Sequence, residues 1–88
     1  MKVVYKLIDN VDVYVEIGFE GEKPVEVMVY EKDYDAYDPL ITKALAKKIA
    51  YKVLKDIGYD NIYLEDEDKY SFILERYHFL VHDYDLPF

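Results

Sequence analysis

One segment of this sequence repeats its apolar residues at helical spacing over a length that fits a whole small domain. In residues 38–58, apolar side chains placed about 100° apart share one broad face, and lysines occupy the other. Asp38 suits the N-cap, Pro39 suits the first helical position, and Gly58 suits the position that ends a helix. The sequence therefore predicts one long helix packed on a sheet. Its predicted apolar face consists of Ile41, Leu45, Ala46, Ile49, Ala50, Val53 and Ile57.

Three runs of alternating apolar residues precede the helix, within residues 2–31, and predict three strands with one buried face each. If the apolar rows share a face, Val15 lies opposite both Val3 and Val29. The outer face then pairs Lys6 with Asp12, so opposite charges fall together without being required to. This agreement supports the register. The same register places Leu7 opposite Val11, Lys2 opposite Glu16 and Tyr14 beside Tyr30.

The residues after the helix predict two more strands. Residues 59–64 form the fourth, with Ile62 and Leu64 facing inward, and residues 69–81 form the fifth, which is apolar on both faces. A charged turn over residues 65–68 separates them. The predicted fold is α+β, a five-stranded antiparallel sheet (β-β-β-α-β-β, strand order 3-2-1-5-4) with one long helix packed on one face. The 88 residues make a single domain, 1–88.

The composition restricts what such a domain can bind. With 19 acidic and 11 basic residues the formal net charge is −8, so direct binding to nucleic acid is not expected and basic partners are favoured. The absence of cysteine excludes disulfides and thiolate metal sites. No apolar run approaches the roughly 18 residues of a membrane span, and no signal peptide is recognisable. We expect no membrane association and a cytoplasmic location, in a cell or in a host cell.

Carboxylates are concentrated in the connections that follow the first, third and fourth strands. Because antiparallel strands alternate in direction, these connections are predicted to share one end of the sheet, away from the helix lysines. A dense negative end can imitate nucleic acid phosphates and occupy the basic surface of a nucleic-acid-binding enzyme. Such a protein is similar in kind to anti-restriction and anti-CRISPR inhibitors. We define the acidic rim as Asp9, Glu31, Asp33, Tyr34, Asp35, Tyr37, Asp38, Glu65, Asp66, Glu67 and Asp68.

A second predicted surface lies on the outer face of the sheet. Aromatic and methionine side chains on an open sheet face favour a protein partner, most simply another copy of the chain. We interpret the chain as a non-enzymatic acidic binding protein, a nucleic-acid mimic of viral or mobile-element origin. The alternative is a structural or homodimerising module of unknown role, with a designed or thermophile origin. The tyrosine-rich face is defined as Tyr14, Met28, Tyr30, Ile73, Tyr77 and Phe79.

The sequence predicts neither a metal site nor a catalytic site. Residues 33–37 have the alternate acidic spacing of a calcium loop, but its glycine and distal glutamate are missing. His78 and His82 would share a zinc ion with Glu75 on a helix, whereas on a strand the imidazoles lie about 13 Å apart. Ser71 is the only serine, so a Ser-His-Asp arrangement is not credible. The charged loops also have a simpler interpretation, which is that they keep the domain soluble.

Overall fold

The computed structural model of the protein describes residues 1–8, 11–31, 41–67 and 76–83. All neighbouring strands of its sheet are antiparallel, and their order is β1-β2-β3-β5-β4. The predicted α+β fold, with a five-stranded antiparallel sheet and one packed helix, is confirmed. The elements are β1 (Lys2–Ile8), β2 (Val11–Glu20), β3 (Lys23–Glu31), α1 (Lys43–Asp56), β4 (Ile62–Asp66) and β5 (Arg76–Asp83).

The predicted strand order, 3-2-1-5-4, is wrong in the position of β5. This strand lies between β3 and β4, so it pairs with β3 and not with β1. The predicted order would carry the chain from one edge of the sheet to the other between β3 and β4. In the observed order β4 lies two strand positions from β3, about 10 Å at the usual spacing. Short connections between consecutive elements favour the observed order.

The predicted register of β1, β2 and β3 is confirmed along the paired valine rows. Tyr14 lies opposite Tyr30, as the sequence predicted. One pair differs, because a β-bulge late in β1 places Ile8 opposite Val11 where Leu7 was expected. A bulge adds one residue to one strand, so the pairing beyond it moves by one position.

The helix begins later than predicted, and its N-cap is Thr42. The Thr42 hydroxyl accepts a hydrogen bond from the backbone N–H of Leu45 at 3.1 Å. This contact satisfies one of the N–H groups that have no partner inside the first turn. The prediction of Asp38 as the cap is therefore wrong. Asp38 and Pro39 themselves lie outside the described residues.

The helix ends at Asp56 with Ile57 as its C-cap, and Gly58 occupies the next position, which was predicted to end the helix. Gly58 has a φ of 107°, a backbone conformation that glycine adopts at low cost. Its N–H donates to the carbonyl of Lys55 at 3.0 Å, and the N–H of Tyr59 donates to the carbonyl of Leu54 at 2.8 Å. These two bonds form a Schellman motif, which satisfies carbonyls of the last helical turn.

One face of the sheet is buried by α1. Ala46 and Ala50 have no exposed surface, so the helix backbone lies close to the strands. Leu54 is also fully buried, although the predicted apolar face did not include it. We call the opposite side of the sheet the outer face. The buried core consists of Val13, Val15, Ile17, Val27, Val29, Ile41, Ala46, Ile49, Ala50, Val53, Leu54, Ile62, Leu64 and Phe79.

Tyr77 and Phe79 lie on the helix side of the sheet, so their assignment to the tyrosine-rich outer face is wrong. Phe79 is opposite Val27 and is only 1% exposed. Tyr77 is opposite Val29, and its hydroxyl donates to the carbonyl of Ile41 at 3.1 Å. Side chains alternate along a strand, so the neighbours of these residues point outward. The outer face of β5 therefore carries Arg76, His78, Leu80 and His82.

Replacing Phe79 by alanine is expected to lower the free energy of unfolding by about 3 to 5 kcal/mol, because it removes a buried ring and leaves a cavity. Leu80→Ala is the matched control, since Leu80 is the next residue and faces outward; we expect a loss of about 1 kcal/mol there. Urea unfolding followed by circular dichroism measures both. Equal losses would contradict the facing of β5.

Candidate functional site

Two tyrosines on the outer face contact two cations. Tyr14 and Tyr30 lie edge to face, with ring centroids 5.4 Å apart and an interplanar angle of 71°. The Lys2 ammonium is 4.3 Å from the centroid of Tyr14, and the Arg76 guanidinium carbon is 4.4 Å from that of Tyr30. The Tyr30 hydroxyl donates to Oε1 of Glu16 at 2.8 Å. We call these five residues the tyrosine cluster, and four strands contribute to it.

A cavity of about 310 Å³ lies beside this cluster, above Gly18. A Cβ atom at Gly18 would lie only 2.7 Å from Cγ of Glu26, so the Glu26 side chain uses the space that glycine leaves. Oε2 of Glu26 lies 3.0 Å from Nε2 of His78, which holds this carboxylate on the outer face. The cavity is lined by Met1, Lys2, Glu16, Ile17, Gly18, Glu26 and Met28.

The two histidines of β5 each meet a different glutamate. His78 contacts Glu26, whereas His82 stacks on Tyr63 at 4.9 Å between centroids and lies 3.7 Å from Oε2 of Glu65. Both histidines are on the strand and on the outer face, as the strand prediction required. Within the ranges given above, no group of three or more metal-ligating side chains is close enough to hold an ion. The calcium-like run at 33–37 lies outside those ranges.

The strand directions bring the connections of the acidic rim to one end of the sheet. β1 and β3 are each antiparallel to β2, and β3 and β4 are each antiparallel to β5. β1, β3 and β4 therefore run in the same direction and end on the same side. Among the described rim residues, Glu65 is exposed and Glu67 is half-buried. The rim predictions that lie outside the described residues are Asp9, Asp33, Tyr34, Asp35, Tyr37, Asp38 and Asp68.

Two residues assigned to the acidic rim contact the helix segment instead of facing solvent. Glu31 is 5% exposed, and its Oε1 accepts a hydrogen bond from the N–H of Ile41 at 2.7 Å. Oδ1 of Asp66 is 2.6 Å from the Lys47 ammonium, and Oδ2 is 3.7 Å from that of Lys43. Both acids occupy strand positions that alternate with outward residues, so they point toward α1. The helix lysines were predicted to lie away from the rim, and this prediction is wrong for Lys43 and Lys47, which contact Asp66.

The tyrosine-rich face is only partly assembled as the sequence predicted. Tyr14, Met28 and Tyr30 lie on the outer face, the two β5 aromatics do not, and Ile73 is outside the described residues. Sequence reasoning missed Arg76 and the pairing of Glu26 with a histidine. Their positions follow from the β3–β5 pairing, which the predicted strand order lacked.

No protein-family model matches this chain, and neither a curated protein nor a solved structure matches it. The one described helix is too short and too polar to cross a membrane. The chemistry of the sheet surfaces is therefore the basis for proposing a function.

The Asp66 carboxylate is held in its charged form by two lysines of α1. The hydrogen bond and charge of Lys47, together with the charge of Lys43, hold the pKa of Asp66 below its ordinary value, although partial burial opposes them. A carboxyl whose pKa is lower in the folded state contributes stability above its unfolded pKa, about 3.9. That contribution is lost as the pH falls through the folded value.

Asp66→Asn is expected to lower the free energy of unfolding by about 0.5 to 1 kcal/mol at pH 7 and to have little effect near pH 2, because the pair is partly exposed and screened by solvent. Urea unfolding at both pH values measures the difference. Asp60→Asn makes the same change at an exposed residue and should have little effect at either pH. A loss at Asp66 that is independent of pH would contradict the ion pair.

Proposed function

We propose that this protein is a non-enzymatic binding protein that binds through the outer face of its sheet. The observation that supports this is that α1 covers one face of the sheet, while no described helix or strand packs on the other. Val4 is 51% exposed on that face, and Met28 and Leu80 are half-buried there. Apolar side chains exposed on the same sheet face as an aromatic pair favour a protein partner.

A second copy of the chain is the simplest partner for this face. Five strands about 4.8 Å apart and about eight residues long give a flat area of about 600 Å². This area is of the same order as the surface that each partner contributes to a standard interface, about 800 Å². In a two-fold dimer the same patch meets itself, so a face of mixed charge can pair opposite signs. The outer face is mixed in this way, with Lys2, Lys6 and Arg76 among Asp12, Glu16, Glu26 and Glu65.

Sedimentation of the isolated protein is expected to show a dimer. Met28→Lys places a charge on the central strand of the outer face and should raise the dissociation constant about tenfold or more, equivalent to about 1.4 kcal/mol. Ala44→Lys makes the same kind of change on the exposed side of α1 and should leave the dimer intact. A protein that stays monomeric at millimolar concentration would rule out the second copy as partner.

A nucleic-acid mimic is the second candidate function, and the shared direction of β1, β3 and β4 favours it. The acidic connections leave the sheet at one end, in a protein with a net charge of −8. B-DNA carries about one charge per 1.7 Å, so a competitor for a basic groove needs closely spaced carboxylates. Glu31 and Asp66 do not contribute, because both are engaged by the helix segment. Other carboxylates at this end are those of Glu67, of Glu65, which lies 3.7 Å from Nε2 of His82, and of the connections.

Neutralising Asp33, Asp35, Glu65 and Glu67 to the corresponding amides tests the mimic. Nucleic-acid-binding proteins retained from a lysate by the immobilised wild-type protein should be released by salt or by duplex DNA, and the variant should retain none of them. The variant should also unfold at higher urea concentration, because repulsion at one end is relieved.

A matched control removes the same charge from the opposite end of the sheet and should leave retention unchanged. Undiminished retention by the rim variant would contradict the mimic. The four exposed control residues are Glu20, Glu22, Asp56 and Asp60, each replaced by its amide.

A further inference from the structure

The chain closes one edge of the sheet with a side chain of the helix. The N–H of Glu67 donates to the carbonyl of His78, so the backbone groups of Glu67 and Glu65 face β5, whereas those of Asp66 and Leu64 face the open side. The N–H of Leu64 faces the open side, where it donates to the hydroxyl of Tyr51 at 2.7 Å. α1 thereby uses a backbone donor that would otherwise be available to an added strand.

The other edge, β1, keeps its outward backbone groups accessible. Met1 and Ile17 exchange both backbone hydrogen bonds, at 2.7 and 2.9 Å. In an antiparallel pair, the alternate residues Lys2, Val4 and Lys6 then direct N–H and C=O away from β2. Within the described part of the chain, nothing hydrogen-bonds these outward groups. Such a row of donors and acceptors is a template for another strand.

This edge presents exposed lysines, although the protein as a whole is acidic. Lys2 and Lys6 are exposed on the outer face on either side of Val4, which is itself 51% exposed. The Lys6 ammonium lies 3.4 Å from Oδ1 of Asp12, but 82% of its side chain stays exposed. On the helix side, the Lys52 ammonium lies 5.7 Å from the ring centroid of Tyr5. Three cations therefore surround an open strand in a protein whose net charge is −8.

Pairing of β1 with β1 of a second copy is disfavoured in the register centred on Val4, which is the register that brings most outward groups together. An antiparallel pair centred on Val4 would place Lys2 of each copy opposite Lys6 of the other. Like charges directly opposite one another destabilise a strand pair, whereas opposite charges stabilise it by about 0.2 to 1 kcal/mol. The lysines that disfavour a second β1 in this register favour a strand with carboxylates in the same places.

We propose that β1 binds an extended acidic segment of a partner protein, which adds to the sheet as a further strand. The segment places carboxylates opposite Lys2 and Lys6 and an apolar residue opposite Val4. Main-chain hydrogen bonds to the outward groups provide affinity, and the two lysines select for acidic sequence. The outward backbone groups of β1 belong to neither the outer face nor the acidic rim, although the Lys2 and Lys6 side chains also lie on the outer face. The proposal therefore does not depend on the function proposed above.

The test uses two short fluorescent peptides, one with the core Glu-Thr-Val-Thr-Glu and one with Lys-Thr-Val-Thr-Lys, titrated with the whole protein. The acidic peptide should bind at least about tenfold more tightly than the lysine peptide. Hydrogen exchange of the Val4 and Lys6 amides should slow only when the acidic peptide is added. Lys2→Gln combined with Lys6→Gln should remove the difference between the peptides.

Val4→Pro provides a second and sharper variant, because it removes one outward N–H at an edge position, where proline is tolerated. It should weaken the acidic peptide at least about tenfold. Val4→Thr keeps the N–H and should bind normally, and Met28→Lys, which tests the outer face, should also leave peptide binding unchanged. A flat titration, equal binding of both peptides, or an unaffected proline variant that circular dichroism shows to be folded would overturn the proposal.

Discussion

A strand directs successive side chains to opposite faces, and α1 is the one described helix available to cover them. This two-residue period decides the role of almost every side chain in the sheet. Val13 and Val15 are buried while Tyr14 between them faces outward. Val27 and Val29 are likewise buried, and Met28 between them faces outward. The core, the contacts to the helix and the outer face are therefore three results of one constraint.

The register could be predicted from sequence because two independent requirements agreed. Placing the valines on one face also paired Lys6 with Asp12, and either requirement alone would have been weaker evidence. The facing of β5 had no such check, because Phe79 and Leu80 are both apolar and either could belong to the core. Packing against β3 and α1 determines which side of β5 is buried, and those contacts involve residues distant in the chain.

The acidic rim shows that a carboxylate counted in the sequence is not always exposed on the surface. α1 has no acidic residue in its first turn and begins with Lys43, although the positive end of the helix dipole favours negative groups. Glu31 from β3 and Asp66 from β4 supply carboxylates to this region, one to the N–H of Ile41 and one to the lysines. Local sequence could not predict these two contacts, because each joins residues from separate elements.

The exposed parts of the sheet differ in charge, so the net charge of −8 describes none of them. The outer face is mixed and aromatic, the end shared by β1, β3 and β4 carries acidic connections, and the β1 edge is basic. Lys2 belongs to two of these surfaces, because its ammonium lies over the ring of Tyr14 while its backbone faces the open edge. An acidic group that engages Lys2 at the edge therefore competes with Tyr14 for the same ammonium, and this links the chemistry of the edge to that of the tyrosine cluster.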